Sequence, residues 1–230
     1  MNQLSDRLNR LSPSATLAMS QKSNELKAQG VDVINLSVGE PDFNTPDHIK
    51  EAAKQAIDDN FSRYSPVPGY PALRNAIVSK LKNENNLDYT PAQISCANGA
   101  KQSVCNAIMV LVNEGDEVIV PAPFWVSYPE MVKLAGGKPV FYVCDEQAHW
   151  YPDIVDIRSK ITDKTKAIVV INPNNPTGVL YPVEILEEIV KVAREHNLLV
   201  FADEIYDRLV MDGLKHTSLA SLADDIPVVT

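Results

Sequence analysis

Ala167-Ile-Val-Val-Ile171, running straight into Asn172-Pro-Asn-Asn-Pro-Thr-Gly178, is the stretch that decides the fold. Five consecutive apolar residues, four of them β-branched, predict a short strand covered on both faces, the signature of a parallel sheet packed between helices. The Asn- and Pro-rich segment after it is turn chemistry. Outward from this point the pattern repeats. Short, nearly continuous apolar runs predict strands at 117–120, 139–143, 198–202 and 227–230. Between them lie segments with apolar residues at a 3.6 period. One helix is expected over 46–57, with Thr45 as N-cap and Pro46 at the first helical position. A second, over 71–81, sets Leu73, Ile77, Val78 and Leu81 on one face. A third, over 100–112, is apolar nearly all round in its second half and is expected to be buried. The fourth, over 183–196, turns Ile185, Ile189, Val192 and Ala193 inward and Glu187, Glu188 and Lys191 outward. Strands alternating with helices predict an α/β fold, a mostly parallel sheet with helices on both faces.

Composition bounds the function. The chain has 230 residues, about one and a half domains at roughly 150 residues each. Lys and Arg number 21 against 30 Asp and Glu, a net charge of −9, which argues against a nucleic-acid partner held by a basic surface. A small anion remains possible, because backbone dipoles hold a phosphate whatever the net charge. Cys96, Cys105 and Cys144 have no metal-ligand spacing and leave one unpaired in any disulfide scheme, as expected of a reduced chain in the cytoplasm. His48, His149, His196 and His216 lie in separate contexts and suggest neither a metal site nor a triad. No uncharged run approaches the length of a membrane span, and the first 20 residues are expected to form an arm or first helix.

In parallel α/β sheets ligands bind beyond the carboxyl ends of the strands, so those positions are read for chemistry. Trp125 follows the strand at 117–120, Asn175 lies in the Asn-Pro segment, and Asp203 and Tyr206 follow the strand at 198–202. An indole, an amide, a carboxylate and a phenol are thereby expected on one edge. Gly99, Ala100 and Lys101 open the third helix and offer backbone N–H groups to an anion. A flat, phosphorylated heteroaromatic ligand would use them all, and pyridoxal phosphate fits. Singly, each residue has a structural alternative: turn chemistry for 172–178, a helix N-cap for Asp203, packing for Trp125, a solvated position for Lys101.

The segments LSVGEPDF (36–43), RYSPVPGYPALR (63–74), NGAKQ (98–102), NPNNPTG (172–178) and DEIY (203–206) stand together in an order that resembles the class I aminotransferases, fold-type I pyridoxal-phosphate enzymes. The resemblance covers essentially the whole chain. It implies transamination between an amino acid and a 2-oxo acid, with pyridoxal 5′-phosphate as cofactor. It also implies a division into residues 1–44, an arm and part of a small domain, and residues 45–230, a cofactor-binding large domain. Carried over by position, Asp203 pairs with the pyridine nitrogen, Tyr206 and Asn175 with the ring hydroxyl, and Trp125 stacks on the ring. Gly99, Ala100 and Lys101 take the phosphate, and Gly39 meets the substrate carboxylate. Tyr64 reaches the phosphate of a neighbouring subunit, which implies a homodimer. Wording up to about Gly137 resembles bacterial aspartate aminotransferases, and from Tyr142 on the alanine branch, leaving the amino donor open.

The family's Schiff-base lysine has no match in these 230 residues and is expected beyond Thr230, together with the arginines on the cofactor phosphate and the substrate carboxylate. The chain as given is therefore expected to be truncated and unable to turn over. The alternatives are a non-catalytic cofactor-binding or dimerisation module, or another fold-type I enzyme such as a lyase.

Overall fold

The computed structural model describes residues 4–36, 39 and 42–230. Two compact units are present, one made of residues 13–70 and the other of residues 1–12 with 71–230. The boundary expected at residue 44 thus falls inside the smaller unit.

The smaller unit carries helices α2 (Ala15–Ala28) and α3 (Asp47–Asp58). Thr45 does not cap α3. Pro46 is extended (φ −54°, ψ 142°), and its own carbonyl accepts from the Ile49 and Lys50 N–H groups, so the helix starts one residue later than predicted. Ser14 does cap α2, its hydroxyl accepting from the Leu17 N–H at 3.4 Å.

The larger unit holds α1 (Asp6–Asn9), α4 (Pro71–Asn85), α5 (Ala100–Leu111), α6 (Ser127–Leu134), α7 (Ile154–Lys160) and α8 (Val183–Glu195). Its sheet has five strands: β1 (Glu117–Ala122), β2 (Lys138–Val143), β3 (Thr165–Ile171), β4 (Leu199–Asp203) and β5 (Val228–Val229). Their order is β2-β1-β3-β4-β5, and every pairing is parallel. The expected α/β class holds.

Alternation along each strand builds two cores. Val118, Val120, Ala167, Val169, Ile171 and Phe201 face α5 and α6, meeting Ile108, Tyr128 and Val132. Ile119, Tyr142, Ile168, Val170, Val200 and Ala202 face α7 and α8, meeting Ile157, Leu186, Ile189 and Ala193. Helices therefore cover both faces, as the unbroken apolar runs require. Burial of α5 is a correction: Ile108 is fully enclosed, but Met109 and Val110 are exposed. One side of α5 packs on the sheet and nothing among the described residues covers the other, although its sequence is apolar on both. At the β1–β2 junction Gly137 is required by close approach: a Cβ there would sit 2.7 Å from Val112 Cγ1.

Candidate functional site

Because all five strands run the same way, their carboxyl ends share one edge, and the connections after β1, β3 and β4 leave from it carrying the residues read for chemistry. The loop after β3 is held from within. Asn174 Oδ1 accepts from the Thr177 N–H (3.2 Å) and hydroxyl (2.8 Å), while Asn174 Nδ2 donates to the Tyr181 hydroxyl at 3.0 Å. Asn172 Oδ1 accepts from the Tyr181 N–H at 2.8 Å, and the His216 ring bonds the Asn172 carbonyl at 3.1 Å. Burial lowers the pKa of His216, so the ring serves that carbonyl as a neutral donor. Asn172 and Asn174 are buried and Asn175 is half-buried. Asn174 spends both ends of its amide on the loop, Asn172 spends its Oδ1 there while its buried Nδ2 has no partner among the described residues, and Asn175 Nδ2 lies 3.5 Å from the Tyr206 hydroxyl.

Asp203 ends β4. Its Oδ1 accepts from the Ile205 N–H at 3.1 Å, and its Oδ2 accepts from the Tyr128 hydroxyl. Tyr128 lies in the first turn of α6 and is buried. Trp125, three residues earlier, meets the Tyr128 ring edge-on at 5.6 Å. Lys101 Nζ sits over the indole, 5.0 Å from its centroid, a cation–π contact.

At the start of α5 the structure alters one expectation. Gly99 adopts φ +81°, a conformation that favours glycine, and its N–H donates to the Ala97 carbonyl at 2.9 Å. Gly99 therefore offers no free N–H. The Ala100 and Lys101 N–H groups have no acceptor among the described residues, and Gln102 Oε1 takes the Asn98 N–H at 2.6 Å. Two donors, not three, stand at the positive end of the helix.

Two open clefts meet at the turn from Asp203 to Tyr206. One, of about 360 Å³, is lined by Asp203, Tyr128, Ala100 and Ser103 and includes Lys80. The other, of about 570 Å³, is lined by Asn175, Tyr206, Leu209 and Met211. The structure thus brings Ala100, Lys101, Trp125, Asn175, Asp203 and Tyr206 to one edge of one unit. Gly39 and Tyr64 belong to the smaller unit, where both are exposed.

Sequence reading missed three side chains. Tyr128 supports Asp203 from 75 residues away; its i+3 spacing from Trp125 was the available signal. Glu204 accepts from the Ser218 hydroxyl (3.0 Å) and the Leu219 N–H (2.8 Å), and burial pushes its carboxyl up to about 7. Lys80 pairs with Asp207 and donates to Asn85 Oδ1 at 2.7 Å. Among the described residues no cluster of three or more His, Cys, Asp or Glu could hold a metal, and no helix is long and apolar enough to cross a membrane.

The donor set fits a phosphorylated pyridine. It combines an anionic acceptor for a ring N–H, an amide and a phenol for a ring hydroxyl, an indole for the ring face, and unpaired helix N–H groups for a phosphate.

Comparison with known proteins agrees with this chemistry. The family model for aminotransferase class I and II matches residues 31–230. An aspartate aminotransferase of Bacillus sp. (strain YM-2) is 45% identical over 227 residues, covering 99% of this chain and 58% of the relative. The structure of aspartate aminotransferase from Thermus thermophilus with maleate superposes with a TM-score of 0.95 at 44% identity, covering 99% of this chain and 59% of that one. An alanine aminotransferase from Pyrococcus furiosus follows at TM-score 0.93 and 42% identity, covering 98% and 58%. The chain spans somewhat under three fifths of the length of these relatives. Aspartate aminotransferases of this family use pyridoxal 5′-phosphate. A five-stranded parallel sheet with this edge and a family match over residues 31–230 have one common reading: the chain belongs to the class I and II aminotransferases.

Proposed function

We propose that the protein of which these residues form the cofactor-binding part transfers an amino group between an amino acid and a 2-oxo acid, using pyridoxal 5′-phosphate. The observation that carries this reading is Asp203. It is a carboxylate at the end of β4, held at both oxygens, with Tyr206 and Asn175 converging one turn away.

On this reading Asp203 accepts from the pyridine N–H and stabilises the charged ring. Tyr206 and Asn175 bond the ring hydroxyl, and Trp125 stacks on the ring face. The Ala100 and Lys101 N–H groups hold the phosphate, with the Lys101 ammonium adding charge beside it. Bound there, the cofactor supplies an electron sink for the amino acid's α carbon. Gly39 meets the substrate carboxylate and the exposed Tyr64 reaches the site of a second copy, in a cytoplasmic homodimer. The similarity to both an aspartate and an alanine aminotransferase leaves either amino acid as donor.

We propose further that the 230 residues alone bind the cofactor without turning over. Lys80, which lines the Asp203 cleft, is tied to Asp207 and Asn85, and Lys101 lies over Trp125. Neither offers a free amine beside Asp203, which supports a non-catalytic binding role for this stretch taken by itself.

Titrating the purified chain with pyridoxal 5′-phosphate tests both statements. Saturable binding is expected, weakened about tenfold or more by Asp203→Ala, the scale of a hydrogen bond to a charged group. Borohydride is expected to trap no single lysine. Absence of saturable binding, or an unchanged affinity in Asp203→Ala, overturns the cofactor reading. Repeated turnover of aspartate or alanine with a 2-oxo acid overturns the second statement alone.

A further inference from the structure

The geometry points to Tyr128 as a positioning residue that acts through Asp203, donating to its carboxylate and aiming it so that the proton shared with a bound pyridine stays on the ring nitrogen. This rests on the cofactor reading above and adds a residue to it.

Three observations carry the inference. First, the Tyr128 ring is enclosed by the core of the α5–α6 face, with Val132, Ile171 and Phe201 in the same cluster. Packing alone would be met there by phenylalanine, and a buried hydroxyl without a partner is costly. The partner that offsets this cost is Asp203 Oδ2. Second, Asp203 Oδ1 is fixed by the Ile205 N–H at 3.1 Å. The two donors come from α6 and from the β4 turn, so the carboxylate is pinned at both oxygens by elements outside its own side chain. Each oxygen keeps a lone pair for a ligand. Third, the phenol remains protonated across the physiological range, because burial and then the Asp203 charge raise its pKa. Tyr128 is therefore a permanent donor to Asp203 and not a competing base.

The chemical consequence follows from the direction of that bond. A donor on a carboxylate stabilises the ion and weakens it as a proton acceptor. Facing a pyridine nitrogen, such a carboxylate leaves the proton on the ring, the charged form on which the electron sink depends. Without the donor, proton density moves toward the carboxylate and the ring loses charge. Trp125 packs edge-on against the same phenol, so the side chain that sets the carboxylate also buttresses the surface on which the ring would stack.

The test uses pyridoxine 5′-phosphate, whose alcohol cannot form an imine with surface lysines, titrated into the 230-residue chain. Its ultraviolet spectrum reports whether the ring nitrogen is protonated. Four chains are compared: the natural sequence, Tyr128→Phe, Asp203→Asn and the double variant. Tyr128→Phe is expected to weaken binding about tenfold, as for a charge-assisted bond, and to lower the protonated fraction of the bound ring. In the Asp203→Asn background the same change is expected to alter affinity by less than about twofold, since coupled partners are non-additive. Difluorotyrosine at position 128, which keeps the shape and strengthens the donor, is expected to raise the protonated fraction. It carries the test if Tyr128→Phe fails to fold. Equal losses in both backgrounds, or an unchanged ring spectrum in the Tyr128 variants, overturn the inference while Asp203→Asn still weakens binding. If Asp203→Asn binds as tightly as the natural chain, the cofactor reading falls and this inference with it.

Discussion

At the scale of single residues, chemistry here is set by what surrounds each side chain. Cys144 is buried beside Tyr181, and burial pushes its thiol up to about 11, whereas Cys96 and Cys105 are half-exposed. Thiolate is the reacting form. Iodoacetamide at pH 8 is therefore expected to label Cys96 and Cys105 well before Cys144, with mass spectrometry of the digest as the check. Initial labelling of Cys144 would contradict the packing described for that face. The candidate site was largely legible at this scale, since Trp125, Asn175, Asp203 and Tyr206 follow strand ends that the apolar runs had already located. What could not be read was how they are held. The Tyr128 hydroxyl and Asp203 are 75 residues apart in sequence, and only the parallel sheet sets the first turn of α6 beside the end of β4. Likewise nothing in Gly99 announces that its N–H turns back to Ala97.

Among elements, the turn after β4 is fastened to the short helical segment Leu219–Leu222 by one carboxylate. Glu204 accepts from the Ser218 hydroxyl and the Leu219 N–H, and its pKa is raised to about 7 chiefly by burial, with Asp207 adding to it and the two hydrogen bonds opposing. A carboxyl that holds its proton more tightly folded than unfolded stabilises the fold below its unfolded value of about 4.5. That contribution is lost as pH rises through about 7. Glu204→Gln keeps an acceptor for both donors and removes the charge. The natural chain is expected to lose on the order of 2–3 kcal/mol between pH 5 and pH 8 from this group, and the variant to lose little of it. Urea unfolding at the two pH values measures the difference. A parallel decline in both chains would show that Glu204 is not its source. The elements themselves were read unevenly. All five strands and helices α3, α4, α5 and α8 were anticipated, because their apolar periods are regular. Helix α6 escaped because Pro129 sits in its first turn, where proline is tolerated but reads as punctuation. The burial of α5 was overestimated because an apolar sequence reports what can be covered, and not which side the fold covers.

For the whole molecule, exposed apolar surface is spread over both units. Leu36, Phe43 and Val67 in the smaller and Val110 and Met211 in the larger are all more than three-quarters exposed. Together with the proposed shared site at Tyr64, this predicts self-association. Sedimentation at micromolar concentration is expected to give about twice the 25.3 kDa chain mass, and a strictly monomeric boundary at tens of micromolar would count against the homodimer. The common direction of the strands has a further, practical consequence. Since every carboxyl end lies on the edge that carries Asp203 and Asn175, every amino end lies on the opposite one. There Glu117 accepts from Lys138 Nζ at 2.9 Å and from the Thr162 hydroxyl at 2.7 Å, and the chain reverses through Asn197 at φ +53°. The molecule therefore offers an experimenter a quiet rim. An epitope tag or fluorescent label spliced into the exposed 195–197 turn sits behind the sheet from the proposed cofactor site, and immobilisation through that rim leaves the edge with Asp203 and Asn175 open to the bath.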